Sequence, residues 1–357
     1  MWYQWLISLP MMVCLFWSIF FLVRYFKRNE EPCVRGTILL FFIVSTVLYT
    51  NHWLYFSDAQ SAIGAYTYML ANLSVYPLYY AYLRALMRAQ KNSELLVLFI
   101  PAAIMAVFYP LNRYFQWTDL SGVLLFTRGC FALQVIWVWG RGWQLIRATR
   151  QHMDATYSDD RSYLLHPMLT IQHLLGITAF FSSVLNFVGR EFFEHEAPVA
   201  IPAIVMSLLL YSLGYVAAHT TLPQETVDRE EDDEMQDTAT IEQTDELMSQ
   251  IGEALREQQL YADSRLTIQD LANAINSNRT YVSNCINRRT GLSFSQYIAR
   301  YRVERAEEIL RDPRYKNDHD AVADAIALSG FSSDQSFYRV FKEITGKTPI
   351  EFRKDSK

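Results

Sequence analysis

The sequence has few of the residues that build disulfide frameworks, metal centres or phosphate-binding loops. Only four of its 357 residues are cysteine, namely Cys14, Cys33, Cys130 and Cys285, and no two have the short spacing of a metal or redox motif. It contains no His-Glu-x-x-His pattern and no glycine-rich phosphate loop. These absences argue against a disulfide scaffold, a zinc protease, and a nucleotide-driven pump or kinase. We therefore expect no metal, no cofactor and no enzymatic step.

Charged residues are scarce before His219. Hydrophobic residues make up 51% of the chain and aromatic residues 15%, too many for a soluble protein whose last third is polar. Seven apolar runs are long enough to cross a bilayer as helices. They lie at about Tyr3–Val23, Gly36–Phe56, Ser61–Leu83, Glu94–Leu111, Gly122–Gly140, Met168–Val188 and Pro198–Ala218. The sequence thus predicts a seven-span membrane helix bundle over residues 1–220.

Lysine and arginine are unequally distributed between the two sides of this predicted bundle. Eleven lie on one side and only two, Arg113 and Arg190, on the other. By the positive-inside rule the richer side is the cytoplasm. Seven crossings put the chain ends on opposite sides, so the amino terminus is expected outside and the carboxyl terminus in the cytoplasm. A cleaved signal peptide is the weaker interpretation of the first run, because no lysine or arginine precedes it and positive charge follows it.

An acidic segment separates the apolar part from the rest of the chain. Thr221 to Glu246 holds eleven acidic residues and one basic residue, which is typical of a solvated linker. This segment explains the net charge of −5, because from Ala262 onward sixteen lysines and arginines face thirteen acidic residues. We expect three parts: a membrane domain at 1–220, an acidic linker at 221–243, and a soluble helical domain at 244–357.

Between Leu266 and Arg353 the chain carries two copies of one pattern: a short apolar-faced helix, a turn, and a second helix with polar residues. The turns fall at Asn276 and Gly330, residue types that accept the left-handed backbone conformation required by a helix-turn-helix. In the two second helices, the apolar pairs Val282 with Ile286 and Phe337 with Phe341 are predicted to pack inward. The outward residues are Thr280, Ser283, Asn284 and Asn287 in the first unit, and Gln335, Ser336, Tyr338, Arg339 and Lys342 in the second.

Helices before and between the two units have their own signals. Leu247, Ile251 and Leu255 recur every four residues, and they predict a helix that packs on the first helix-turn-helix unit. Ser293 with Gln296 forms a capping box that starts a helix joining the two units, and Pro313 ends it.

The last quarter of the chain resembles the DNA-binding domain of the AraC/XylS family of bacterial transcription regulators. The resemblance rests on Leu271-Ala272, Gly291-Leu292-Ser293-Phe294, Tyr297, Arg302, Ala306, Gly330-Phe331, Phe337-Tyr338-Arg339-Val340-Phe341-Lys342, Gly346-Lys347-Thr348-Pro349 and Phe352-Arg353. It implies that one monomer places both second helices in successive major-groove segments, about one helical turn apart.

The same resemblance assigns roles to individual residues. It carries base-facing positions to Thr280, Ser283, Asn284, Gln335, Tyr338 and Arg339. Candidates for phosphate contacts are Arg279, Arg288, Ser333 and Lys342. Arg302 is expected to be structural.

Polar residues within the apolar runs are candidates for sensing a signal. Asn72, Arg128 and His173 are costly in hydrocarbon unless they face a bundle interior or water. Two of them also have a simpler interpretation: Arg128 can reach the outer surface, and His173 can make an ordinary interhelical hydrogen bond.

These patterns favour an all-α protein in the bacterial cytoplasmic membrane that acts as a one-component transcription regulator. The alternative is a transporter or receptor with an appended DNA-binding feedback domain. The expected partners of the protein are double-stranded DNA, the lipid bilayer, and an unidentified signal or small-molecule ligand. RNA polymerase and a second copy of the chain are further candidate partners.

Overall fold

A computed structural model describes residues 2–26, 31–56, 61–89, 93–159, 162–188, 196–220, 222, 241–314 and 318–356. These residues form α-helices and short 3₁₀ helices, with no named strand among them. The predicted all-α fold is therefore confirmed. The chain divides into two compact units, one comprising residues 1–147 and 164–223, and the other comprising residues 148–163 and 224–357.

The first unit is built from long apolar helices. In the part of the chain that the structure describes, they are α1 Trp2–Tyr25, α2 Pro32–Phe56, α3 Ala62–Leu86, α4 Ser93–Phe115, α5 Leu120–Thr156, α6 His166–Val188 and α7 Glu196–His219. Helix α5 has 37 residues, and its last turns, from Ala148, belong to the second unit. The predicted fifth span, which ended at Gly140, is thus the first part of a longer helix.

Six of these helices are long and apolar enough to cross a membrane, judged by length and composition over the described residues. Helix α3 is not among them, because tyrosines, Asn72 and Ser74 lower its hydropathy. Outward-facing leucines on the other helices, such as Leu96, Leu133 and Leu208, are 74%, 71% and 63% exposed. Exposed apolar side chains of this kind are uncommon on soluble proteins and suggest membrane association.

Buried glutamines tie the helices of the first unit together. Gln134 on α5 donates from Nε2 to the carbonyls of Leu73 (3.2 Å) and Leu98 (2.8 Å). Gln172 on α6 donates to the Val138 and Trp139 carbonyls at 3.1 and 2.9 Å. Both side-chain amides therefore donate to backbone carbonyls of neighbouring helices.

The second unit contains shorter helices, five of which begin after a capping side chain. They are α8 Ile241–Glu257, α9 Ile268–Ala274, α10 Arg279–Thr290, α11 Phe294–Arg311, α12 Asp318–Leu328, α13 Asp334–Thr345 and α14 Pro349–Asp355. The predicted capping box at the start of α11 is present: Ser293 Oγ accepts from the Gln296 amide, and the Gln296 side chain accepts from the Ser293 amide.

Two hydrophobic cores in this unit share one helix. The first joins α8, α9 and α10 to the amino-terminal half of α11, and it buries Leu247, Ile251 and Leu255 as predicted. The second joins α12 and α13 to the other half of α11, which includes Val303 and Leu310. Because α11 contributes to both cores, it ties the two helix-turn-helix units to each other.

Candidate nucleic-acid interface

The first helix-turn-helix unit consists of α9 and α10. Asn276 has a φ of 52°, so the turn uses the predicted left-handed conformation. Asn278 caps α10 by accepting the Tyr281 amide through its side chain at 2.7 Å. Val282 and Ile286 are buried in the first core, as predicted.

The polar face of α10 is open. Thr280, Asn284 and Arg288 are exposed, whereas Ser283 and Arg279 are half-buried. This face offers hydroxyl, amide and guanidinium groups, the donors and acceptors that proteins use for base edges and phosphates.

The second helix-turn-helix unit consists of α12 and α13, with its turn at Gly330. Gly330 has a φ of 85°, and a methyl group at this position would lie 2.7 Å from the Cα of Ala262. Ser333 caps α13 by accepting the Ser336 amide. Phe337 and Phe341 are fully buried in the second core, as predicted. The turn therefore requires glycine for both conformation and space.

The polar face of α13 presents Gln335, Tyr338, Arg339 and Lys342, all exposed. Ser333, at the amino end of the helix, is exposed as well. The amino terminus of a helix attracts anions through its backbone amides and dipole.

Ser336 is the exception, and its predicted outward position is wrong. This residue is only 4% exposed. Its hydroxyl donates to Asp159 Oδ1 at 3.4 Å, so the segment that follows α5 covers this side of α13. Residues 148–163 belong to the second unit, and helical periodicity within α13 alone cannot reveal such a distant neighbour.

Arg302 on α11 is buried, which confirms its expected structural role. It donates to the carbonyls of Tyr261, Asp263 and Ser158 and to the Ser158 hydroxyl, at distances of 2.8–3.0 Å. Burial lowers its pKa to about 10, while the nearby carboxylates of Asp159 and Asp263 act in the opposite direction. The guanidinium therefore stays charged at neutral pH.

The candidate sensing residues lie in the first compact unit, which comprises residues 1–147 and 164–223. Asn72 and Arg128 line a cavity of about 740 Å³, together with His52 and several tyrosines. His173 lies outside the lining of this cavity and makes an edge-to-face contact with the Trp139 ring, with 6.3 Å between ring centroids. The described residues contain no cluster of His, Cys, Asp or Glu side chains that could hold a metal ion.

Comparison with known proteins gives a match over the carboxyl-terminal part. A family model described as "Helix-turn-helix domain" matches residues 271–355. The chain is 32% identical over 92 residues to the Msm operon regulatory protein of Streptococcus mutans, covering 26% of this chain and 31% of that protein. It is 30% identical over 92 residues to the melibiose operon regulatory protein of Escherichia coli, covering 26% and 29% respectively.

A third relative is the uncharacterized HTH-type transcriptional regulator YisR of Bacillus subtilis, 32% identical over 102 residues, or 29% of this chain and 34% of that protein. The chain thus spans about a third of the length of these curated relatives. No solved structure matches the chain. Residues 271–355 are a helix-turn-helix domain of the AraC type.

Proposed function

We propose that this protein is a membrane-embedded transcription regulator, in which the first unit spans the cytoplasmic membrane seven times and the second binds double-stranded DNA. One observation carries the proposal: an AraC-type helix-turn-helix domain shares a chain with six long apolar helices. The exposed leucines of these helices suit hydrocarbon, where every backbone polar group must be satisfied within the helix.

The composition of the second unit supports a particular topology. This unit includes residues 148–163, directly after the apolar part of α5, as well as residues 224–357. A compact soluble unit lies on one side of a bilayer, so the helices between these two segments, α6 and α7, must cross it as a pair. That requirement agrees with a cytoplasmic position for both segments, the side that the positive-inside rule gives them.

For DNA, we propose that α10 and α13 enter the major groove. Thr280, Ser283, Asn284, Gln335, Tyr338 and Arg339 contact base edges. Arg279, Arg288, Ser333 and Lys342 contact phosphates. The exposure of the polar faces of α10 and α13, and their attachment to the shared helix α11, support this assignment.

Arg339 and Lys342 provide a matched test, because both are on α13 and each alanine substitution removes one positive charge. On DNA sites selected from random duplexes, Arg339→Ala should cost about 1–3 kcal/mol and relax one base position. Lys342→Ala should weaken binding to all DNA sequences alike. It should also lower the slope of the logarithm of affinity against the logarithm of salt concentration by about one. Titrations of the full chain in lipid nanodiscs at several salt concentrations would measure both effects. A uniform loss of affinity in both variants would contradict the division between base-reading and phosphate-binding residues.

For the signal, we propose that the cavity in the first unit binds a small ligand. Its lining is largely apolar and aromatic, with Asn72, His52 and Arg128 among the polar residues, and no acidic residue is among the described residues that line it. The positive charge of Arg128 within an apolar and aromatic lining favours a ligand that is an organic anion with an apolar body. Asn72 supplies an amide that can orient this ligand by hydrogen bonds.

A further inference from the structure

Residues Tyr157–Asp159, which we call the clip, directly follow α5 and lie against the DNA-binding domain. Tyr157 forms an antiparallel bridge with Thr267. The Ser158 amide donates to the Leu266 carbonyl at 3.0 Å. All three clip residues are buried, and Ser158 is only 2% exposed. The clip is therefore paired and packed like an internal segment of the domain.

Arg302 donates hydrogen bonds to Ser158, the middle residue of the clip. Its Nη1 donates to the Ser158 carbonyl at 3.0 Å and its Nη2 to the Ser158 hydroxyl at 2.8 Å. A buried guanidinium is costly unless its donors are bonded and an opposite charge lies near it. The clip supplies two of these acceptors and, in Asp159, a nearby negative charge.

Asp159 connects the clip to the second helix-turn-helix unit. Its carboxylate accepts a hydrogen bond from the Ser332 hydroxyl and a longer one, at 3.4 Å, from the Ser336 hydroxyl. Ser332 precedes α13, and Ser336 lies in its first turn. The negative charge therefore lies at the positive end of the helix dipole, which favours it.

From these contacts we infer that the clip is a built-in ligand of the DNA-binding domain, and that its docking onto Arg302, Ser332 and Ser336 weakens the binding of α13 to DNA. A phosphate held through Ser333 would lie within one helical turn of the Asp159 carboxylate, and two anions at this separation repel each other. Because the clip directly follows α5, a movement of α5 would dock or release it. The inference rests on the proposed DNA-binding function and adds a route by which the first unit could control that function.

Neutralising Asp159 tests the effect on DNA. Asp159→Asn in the full chain, held in lipid nanodiscs, should bind a mixed-sequence duplex about three- to tenfold more tightly at low salt, with a smaller gain at high salt. Asp154→Asn is the matched control, because Asp154 lies five residues earlier, near the end of α5, is half-buried and pairs with Arg150 at 4.0 Å. An equal gain in both variants, no gain, or weaker binding by Asp159→Asn would overturn the inference.

A disulfide tests docking separately from DNA binding. Cysteines introduced together by Asp159→Cys and Ser332→Cys should form a cross-link under mild oxidation in native membranes, while either single variant should not. Absence of this cross-link would overturn the docking even if Asp159→Asn binds DNA more tightly. If the cross-link forms but the wild-type chain binds no duplex, the docking stands, while the proposed function fails and the inferred effect on DNA fails with it.

Discussion

Replacing Gly330 with alanine should destabilise the second helix-turn-helix unit by about 3 kcal/mol or more. The residue has a φ of 85°, which strains any residue with a Cβ. The added methyl group would also meet backbone atoms of Tyr261 and Ala262, which cannot rotate away as a side chain can. Hydrogen exchange of α12 and α13 in the full chain should accelerate by about a hundredfold or more, since each 1.4 kcal/mol corresponds to a factor of ten.

Gly346 is the matched control for this prediction. It also has a positive φ, 75°, but a Cβ there would meet no atom within 4 Å. Gly346→Ala should therefore carry only the conformational cost, about 1 kcal/mol. Equal acceleration of exchange in the two variants would mean that the close approach of Tyr261 and Ala262 to Gly330 adds nothing to the cost of the substitution.

Changing Asn72 to leucine should lock the expression of target genes either on or off. A sensor needs two arrangements of similar energy, and a ligand shifts them only by the difference in its affinity for the two. Removing the amide from the cavity wall removes part of that difference while keeping a side chain that branches at Cγ. Arg128→Leu should have the same effect, because it removes the positively charged group that lines the cavity. A reporter joined to a promoter that the protein occupies would show at least about a tenfold loss of response.

His173→Leu is the control for the sensing prediction. It makes a similar polar-to-apolar change in the same unit, but His173 packs on Trp139 outside the cavity lining. The reporter should respond normally in this variant at equal protein levels. A normal response in Asn72→Leu and Arg128→Leu as well would place the sensing site elsewhere.

Local patterns in the sequence were sufficient to predict most of the second unit. The turn residues Asn276 and Gly330 and the buried pairs in α10 and α13 follow from backbone preference and helical periodicity, which depend on neighbours within a few residues. The same holds for the capping box at Ser293. Each of these features is determined locally, so no knowledge of the tertiary fold was needed to find it.

The clip could not be predicted in this way. Ser158 and Arg302 are 144 residues apart, and Ser336 and Asp159 are separated by 177. A serine and an aspartate after an apolar run resemble any solvated loop, and nothing in the periodicity of α13 distinguishes Ser336 from its exposed neighbours. The length of α5 was also missed, because charges such as Arg141 and Arg147 end an apolar run without ending a helix. The sequence also predicted Asn72, Arg128 and His173 together as sensing candidates, and it could not show that Asn72 and Arg128 line one cavity while His173 lies outside its lining.

Reporter fusions along the chain test the central claim most directly, because they show whether the DNA-binding domain lies on the cytoplasmic side of a seven-span bundle. Fusions after His219 and within residues 90–92 should report the cytoplasm, and fusions within residues 57–60 and 190–195 should report the outside. The pair flanking α3 is the most sensitive, since α3 is the helix of the seven that length and composition do not mark as a candidate span. The same location for the 57–60 and 90–92 fusions, or an outside location after His219, would contradict the account.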